Sequence, residues 1–156
     1  MSDIVLQRDV GSLGVLKRLG AAASAVAAGT GDSTTTTGTT IDRFAFASSG
    51  LPKALAAGVL YDATLQSGKT LSIGYAVQHS DDGSTWDDYQ TATYAVVATG
   101  ASGGSTVAGE MEIGVFLGSA KRYVRLNSAV DLSATGTDTA VTRAVGFFAG
   151  FDRLPS

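Results

Sequence analysis

The sequence predicts an all-β chain, built as a sandwich or small barrel of short strands. Three observations predict it. Apolar residues alternate with polar or small ones in one stretch after another. Turn residues interrupt those stretches at intervals near ten residues. No long amphipathic helical period separates them, which disfavours a parallel α/β arrangement.

Taken in order, residues 1–40 differ from the rest. Val5, Leu6, Val10, Leu13, Val15, Leu16 and Leu19 are apolar, but Gly11, Gly14 and Gly20 interrupt any continuous helix. Ala21–Ala28 reads as a turn or two of helix, and Gly29–Thr40 is a low-complexity run of Gly, Thr, Ser and Asp. Such a run has too little apolar surface to offset its ordering entropy alone. Residues 1–40 are therefore expected to form an arm that lies against something outside its own domain. Leu6, Val5, Val10, Leu13, Leu16 and Leu19 are its candidate partner-binding anchors. Lys17-Arg18 ahead of the alanine-rich stretch has the outline of an export signal, but Asp3 and Asp9 precede the basic pair and the apolar run is mostly alanine.

The β-domain is expected over 41–156. Ile41–Ser48 reads as a strand with Phe44 and Phe46 on one face. Ser49–Pro52 is a turn. Val59–Gln66 alternates Leu60, Asp62 and Thr64 against Val59, Tyr61, Ala63 and Leu65, and Ser67-Gly68 is short enough to pair it as a hairpin with the next strand. That strand places Leu71, Ile73, Tyr75 and Val77 on one inward face, because a one-residue slip would expose the whole set. An acidic turn, His79–Asp88, leads back into Tyr89–Val97. A glycine-rich loop, 99–105, precedes Glu110–Leu117, where Met111, Ile113, Val115 and Leu117 share a face. Lys121–Asn127 turns Val124 and Leu126 one way, and Thr139–Phe151 alternates on Val141, Val145, Phe147 and Ala149.

Composition narrows function. At 156 residues and 44% hydrophobic content the chain suits one domain with its own core. Charged residues make up 16%, below the usual figure of about a quarter, which suggests a surface covered in part by a partner. The 11 basic residues are scattered and the net charge is −3, so a phosphate-tracking surface is excluded. No apolar run approaches the roughly 20 residues that span a bilayer. No cysteine is present, which removes disulfides and thiolate metal sites.

Little in the sequence suggests reaction chemistry. Asp81, Asp82, Asp87 and Asp88 crowd one turn but lack the ligand spacing of a calcium loop. His79 is the sole histidine, with no second ligand at zinc spacing and no Gly-x-Ser-x-Gly elbow to make a triad. Gly100–Gly104 lacks the Gly-Lys-Ser/Thr ending of a phosphate loop. Glu110 and Glu112 read as a solvated strand face. Tyr61, Tyr75, Trp86, Tyr89, Tyr94 and Tyr123 would stack on sugars only if several formed one exposed row. The expectation is no catalytic residue, no cofactor and no metal.

Two resemblances add to this. Asp81-x-Gly83-x-Thr85-Trp86 resembles the Asp-box hairpin of sialidases and other β-proteins, with His79 where Ser is usual. That likeness implies a structural turn of Asp81, Gly83, Thr85 and Trp86, in which the Asp accepts backbone N–H groups and the Trp packs beneath. More broadly, the Gly/Thr-rich arm, Leu60–Leu65, Gly68–Ile73 and Gln78–Trp86 resemble the jelly-roll capsid cement (decoration) proteins of tailed bacteriophages. The resemblance implies a jelly-roll-like antiparallel β-sandwich with an extended N-terminal arm. It implies a structural virion protein, made in the host cytoplasm, that binds the outer surface of a major capsid shell and stabilises it. Its partners would be the major capsid protein and other copies of itself, with no nucleic acid or membrane. Another phage head or tail component and a carbohydrate-binding β-sandwich module are the alternatives.

Overall fold

The computed structural model describes residues 13–46 and 50–151. Among them the strands are β1 (Gly14–Arg18), β2 (Ala23–Val26), β3 (Thr35–Thr36), β4 (Ile41–Asp42), β5 (Ala54–Leu65), β6 (Thr70–Ser80), β7 (Asp87–Thr99), β8 (Ser105–Phe116), β9 (Tyr123–Leu132) and β10 (Thr139–Ala149). One 3-10 turn, Arg43–Phe46, follows β4. No described helix is long and apolar enough to cross a membrane.

Two antiparallel sheets face each other. The first runs β1-β10-β5-β8, with β2 also on β10; the second runs β3-β9-β6-β7, with β4 also on β9. If β1 and β2 are counted as one interrupted strand, and β3 and β4 as another, the orders become 1-8-3-6 and 2-7-4-5. This is the winding of a jelly roll, a sandwich as the alternation predicts and of the type that the resemblance implies.

The alternating rows meet in the middle. Leu71, Ile73 and Val77 are fully buried and Tyr75 is half-buried at the margin, so the expected inward face of β6 holds. Ile113, Val115 and Leu117 and then Val124 and Leu126 also point inward. Burying a side chain of this size contributes about 1.5–3 kcal/mol. The expected hairpin across the acidic turn is present too, from Thr70↔Thr99 to His79↔Asp87.

Other expectations need correction. β5 and β6 do not form a hairpin. β5 pairs with β8 and β10, while β6 pairs with β7 and β9. In a hairpin their apolar rows would lie side by side; here they face each other across the core. The crossing is fixed by Gly68 at φ 69° and by bonds to the neighbouring loops, Gly68 N–H to Gly100 O at 2.9 Å and Gly100 N–H to Lys69 O at 2.8 Å. The buried Asp138 carboxylate accepts the Gln66 N–H at 3.0 Å.

The boundary placed between an arm over 1–40 and a sandwich over 41–156 is also overturned for the described residues. β1 and β2 add to β10, and β3 adds to β9, so this segment supplies both sheets with a strand. Leu19 is 1% exposed and fills space beneath Gly146, where an added Cβ would come within 2.6 Å of it. Leu19 is thus core and not a partner anchor. Leu13 is half-buried and Leu16 exposed, while Val5, Leu6 and Val10 lie outside the described residues. The Gly/Thr run is held to β9 by backbone and side-chain bonds. Asp32 accepts from Leu132 N–H and Ala28 N–H, and Asn127 accepts the Gly38 N–H. A Cβ at Gly38 would fall 2.0 Å from the Leu126 carbonyl oxygen, so only glycine lets the chain lie this close.

The strand expected over Ile41–Ser48 stops at Asp42, because Arg43 turns its side chain into the protein. Phe46 is buried and Phe44 exposed, so they do not share a face. In β10 the buried row is Ala140, Thr142, Ala144 and Phe148; Val141, Val145, Phe147 and Ala149 are half-buried on the outer side. Leu19 and Leu55 already occupy the inner space at Gly146, between the inward Ala144 and Phe148.

Candidate interaction surfaces

The acidic turn is a self-contained structural unit. Ser80, fully buried at the end of β6, receives the Gly83 N–H at 2.9 Å and donates to Asp82 Oδ1 at 2.9 Å. That carboxylate also accepts the Ser84 and Thr85 N–H groups, each at 2.8 Å. The Thr85 and Ser84 amides and the Ser80 hydroxyl hold the Asp82 carboxyl down at about 2. The acceptor expected at Asp81 is therefore Asp82. Asp81 is exposed and lies 3.3 Å from Lys121 Nζ, which also meets Asp87 at 2.6 Å. That hydrogen bond from Lys121 lowers the Asp87 pKa.

Gly83 takes φ 73°, a conformation that favours glycine. Beneath it lies the Tyr123 ring, not Trp86. Trp86 carries the Arg125 guanidinium 4.1 Å from its ring centroid. Arg125 and Asn127 both donate to Gln78 Oε1, whose amide donates to Asp88 at 2.8 Å. Each of these groups is satisfied locally.

His79, Tyr61, Tyr75 and Tyr89 are likewise absorbed by the fold. His79 Nδ1 accepts the Lys121 N–H at 3.3 Å, and its ring lies against Tyr89. Tyr61 is buried and donates to Val97 O; Tyr89 donates to Phe116 O at 2.6 Å; Tyr75 accepts from Gln90. The aromatics thus sit at separate places and do not form one exposed row. No three described His, Asp or Glu side chains converge as a metal-binding group.

What the sequence reading missed is the surface of the sheets. Leu16, Leu60 and Phe116 are exposed on the outer face of the first sheet, and Tyr94 and Val96 are exposed on β7, the edge strand of the second. Each face carries a shallow hollow. The one on the second sheet, about 460 Å³, is lined by Gly74, Ala76, Ala92, Tyr94 and Asn127. The one on the first, about 630 Å³, is lined by Ala56, Gly58, Leu60, Gly114 and Val145. The readable signal was glycine in the middle of β5, β6 and β8, each surrounded by good strand formers.

No known family's sequence profile matches the chain, and no curated protein matches it in sequence. Among solved structures, the chain is similar to that of infectious bursal disease virus Gt strain, at 15% identity and a TM-score of 0.45, over 88% of this chain and 33% of that one. The Gx strain gives 13% identity and a TM-score of 0.43, over 91% and 33%. A mutant VP2 protein of the same virus, in derived T=1 particles, gives 15% and 0.37, over 90% and 36%. The chain spans about a third of the length of these proteins, and likeness at this level assigns no function.

Proposed function

We propose that the protein is a structural virion component, a cement or decoration protein that binds the outer surface of a tailed-phage capsid shell and acts by contact, not catalysis. The observation that carries this reading is the distribution of exposed large apolar side chains. Leu16, Leu60, Tyr94, Val96 and Phe116 stand on open strands among Gly, Ala and Thr, outside any enclosed cleft. Apolar surface of this kind suits partner contact. The jelly-roll winding and the sequence resemblance to cement proteins point the same way. Val5, Leu6, Val10 and Leu13 are the proposed shell anchors, since Leu19 belongs to the core. Such anchors need neither cofactor nor metal. The test is density-gradient purification from infected cells. The protein is expected to sediment with a shell of a second, larger protein at fixed stoichiometry. Recovery solely as a free small species, with shells of normal density lacking it, would overturn the proposal.

A further inference from the structure

We infer that the outer face of the first sheet is a self-association surface, on which two copies of this chain stack face to face about a two-fold axis parallel to the strands. The inference does not depend on the virion reading.

It begins with two glycines. Gly58 and Gly114 sit inside β5 and β8, and neither has a positive φ. A Cβ added at either would meet no atom within 4 Å. The fold of one chain therefore requires glycine at neither position, although glycine weakens a strand. Unstrained glycine facing open space in a strand marks close approach by something else. Together with Ala56 these two residues floor the hollow of about 630 Å³, which Leu60 and Val145 wall.

The same face carries the groups that would fill this hollow in a second copy. Register places Leu16, Phe147, Ala56 and Gly114 in one cross-strand row, and Arg18, Val145, Gly58 and Glu112 in the next. Leu16 is 69% exposed on β1 at one margin, and Gly114 lies at the other. A two-fold axis parallel to the strands exchanges the margins without shifting residues along them. It therefore sets Leu16 of each copy over Gly114 of the other, a side chain opposite a gap.

Charge selects this axis over the alternative. The β8 margin carries Glu110 and Glu112, neither in an ion pair among the described residues. The β1 margin carries Arg18, which also has no carboxylate partner among them. Between them, Arg143 and Asp62 pair with each other at 3.3 Å. The parallel axis brings Glu112 over Arg18 in two equivalent places. An axis running across the strands would stack β8 on β8 and oppose carboxylates, which is unfavourable. The face is thus complementary to itself in one orientation, the requirement for an isologous contact.

Its extent, from the Phe116 row to the Glu110 row, is roughly 20 Å along the strands and about 14 Å across them. That is less than the roughly 800 Å² per partner of a standard stable interface, so pairing should depend on concentration.

Sedimentation equilibrium of the full chain from micromolar to near-millimolar concentration tests this. The wild type should show a reversible monomer–dimer equilibrium. Gly114→Val adds a side chain in open space and should leave the thermal unfolding midpoint close to wild type while weakening the dimer at least about tenfold. Arg18→Glu and Glu112→Arg each alter two symmetric contacts and should weaken it by a similar factor. Their combination should restore the dimer to within a few-fold of wild type. A wild type that stays monomeric throughout would overturn the inference. So would a Gly114→Val protein that dimerises normally, or a double charge exchange that fails to recover.

Discussion

Replacing Arg43 with methionine should destabilise the protein by about 2–4 kcal/mol, because this one side chain satisfies four backbone carbonyls at the end where the sheets meet. Arg43 is 4% exposed, and its guanidinium donates to Ala120 O, Lys121 O, Pro52 O and Leu117 O. The last two, at 2.9 and 2.8 Å, are buried. Those carbonyls come from the entry to β5 and from the short connection between β8 and β9, so the guanidinium ties its own segment to two others, one of them more than seventy residues away. Methionine replaces the aliphatic stem but donates nothing. Each buried acceptor left unpaired costs about 1–3 kcal/mol. The two fully buried ones alone give roughly 2–6 kcal/mol. Part of that is recovered because Arg43 is a buried charge with no carboxylate partner among the described residues, and its desolvation lowers its own pKa. Lysine should recover only some of the loss, since a single ammonium cannot span the fork of carbonyls. Urea unfolding monitored by circular dichroism measures the difference, which should appear as a lower midpoint at unchanged slope. A methionine variant within about 0.5 kcal/mol of wild type would refute the reasoning and show that water or backbone adjustment replaces the guanidinium.

Other outcomes follow from the same geometry. The Asp82 carboxyl should titrate at about 2 by carbon-detected NMR, and Ser80→Ala should raise that midpoint by removing one of its donors. A carboxylate lowered in the folded state stabilises it above its unfolded pKa. This contribution should fade as pH falls from about 4 towards 2, and Asp82→Ala should lack that part of the pH dependence. Deleting residues 1–12 should leave cooperative unfolding and a β-type spectrum while weakening attachment to a shell. Deleting residues 1–30 should abolish cooperative folding, because it removes β1, β2 and the buried Leu19, Ala25 and Ala27. A well-folded product of the longer deletion would contradict the place of those strands in the sheet.

By itself the sequence determined which residues share a face. The alternation through Leu71, Ile73 and Val77, and through Ile113, Val115 and Leu117, is a local consequence of the period of two, and those rows are the core. It also determined the β6–β7 hairpin, whose turn chemistry sits between its two strands, and it placed glycine at Gly83 where the turn needs a positive φ. Which strand lies beside which was decided only by the tertiary structure. Alternation is the same whether β5 pairs with β6 or faces it across a sandwich, and the crossing depends on bonds from Gly100 and Asp138. In β10 both rows are apolar, so the inward row was settled by Leu19 and Leu55 already occupying the space below Gly146. The Gly/Thr run looked unable to order itself, and locally that is correct; it is ordered because β9 offers partners to Asp32, Ser33 and Gly38 about ninety to a hundred residues away. The choice of Asp82 over Asp81 came from the buried Ser80 hydroxyl that fixes the carboxylate. The glycines of the outer face were visible from the start, but their meaning required the register that sets Gly58 and Gly114 in neighbouring rows of one open surface.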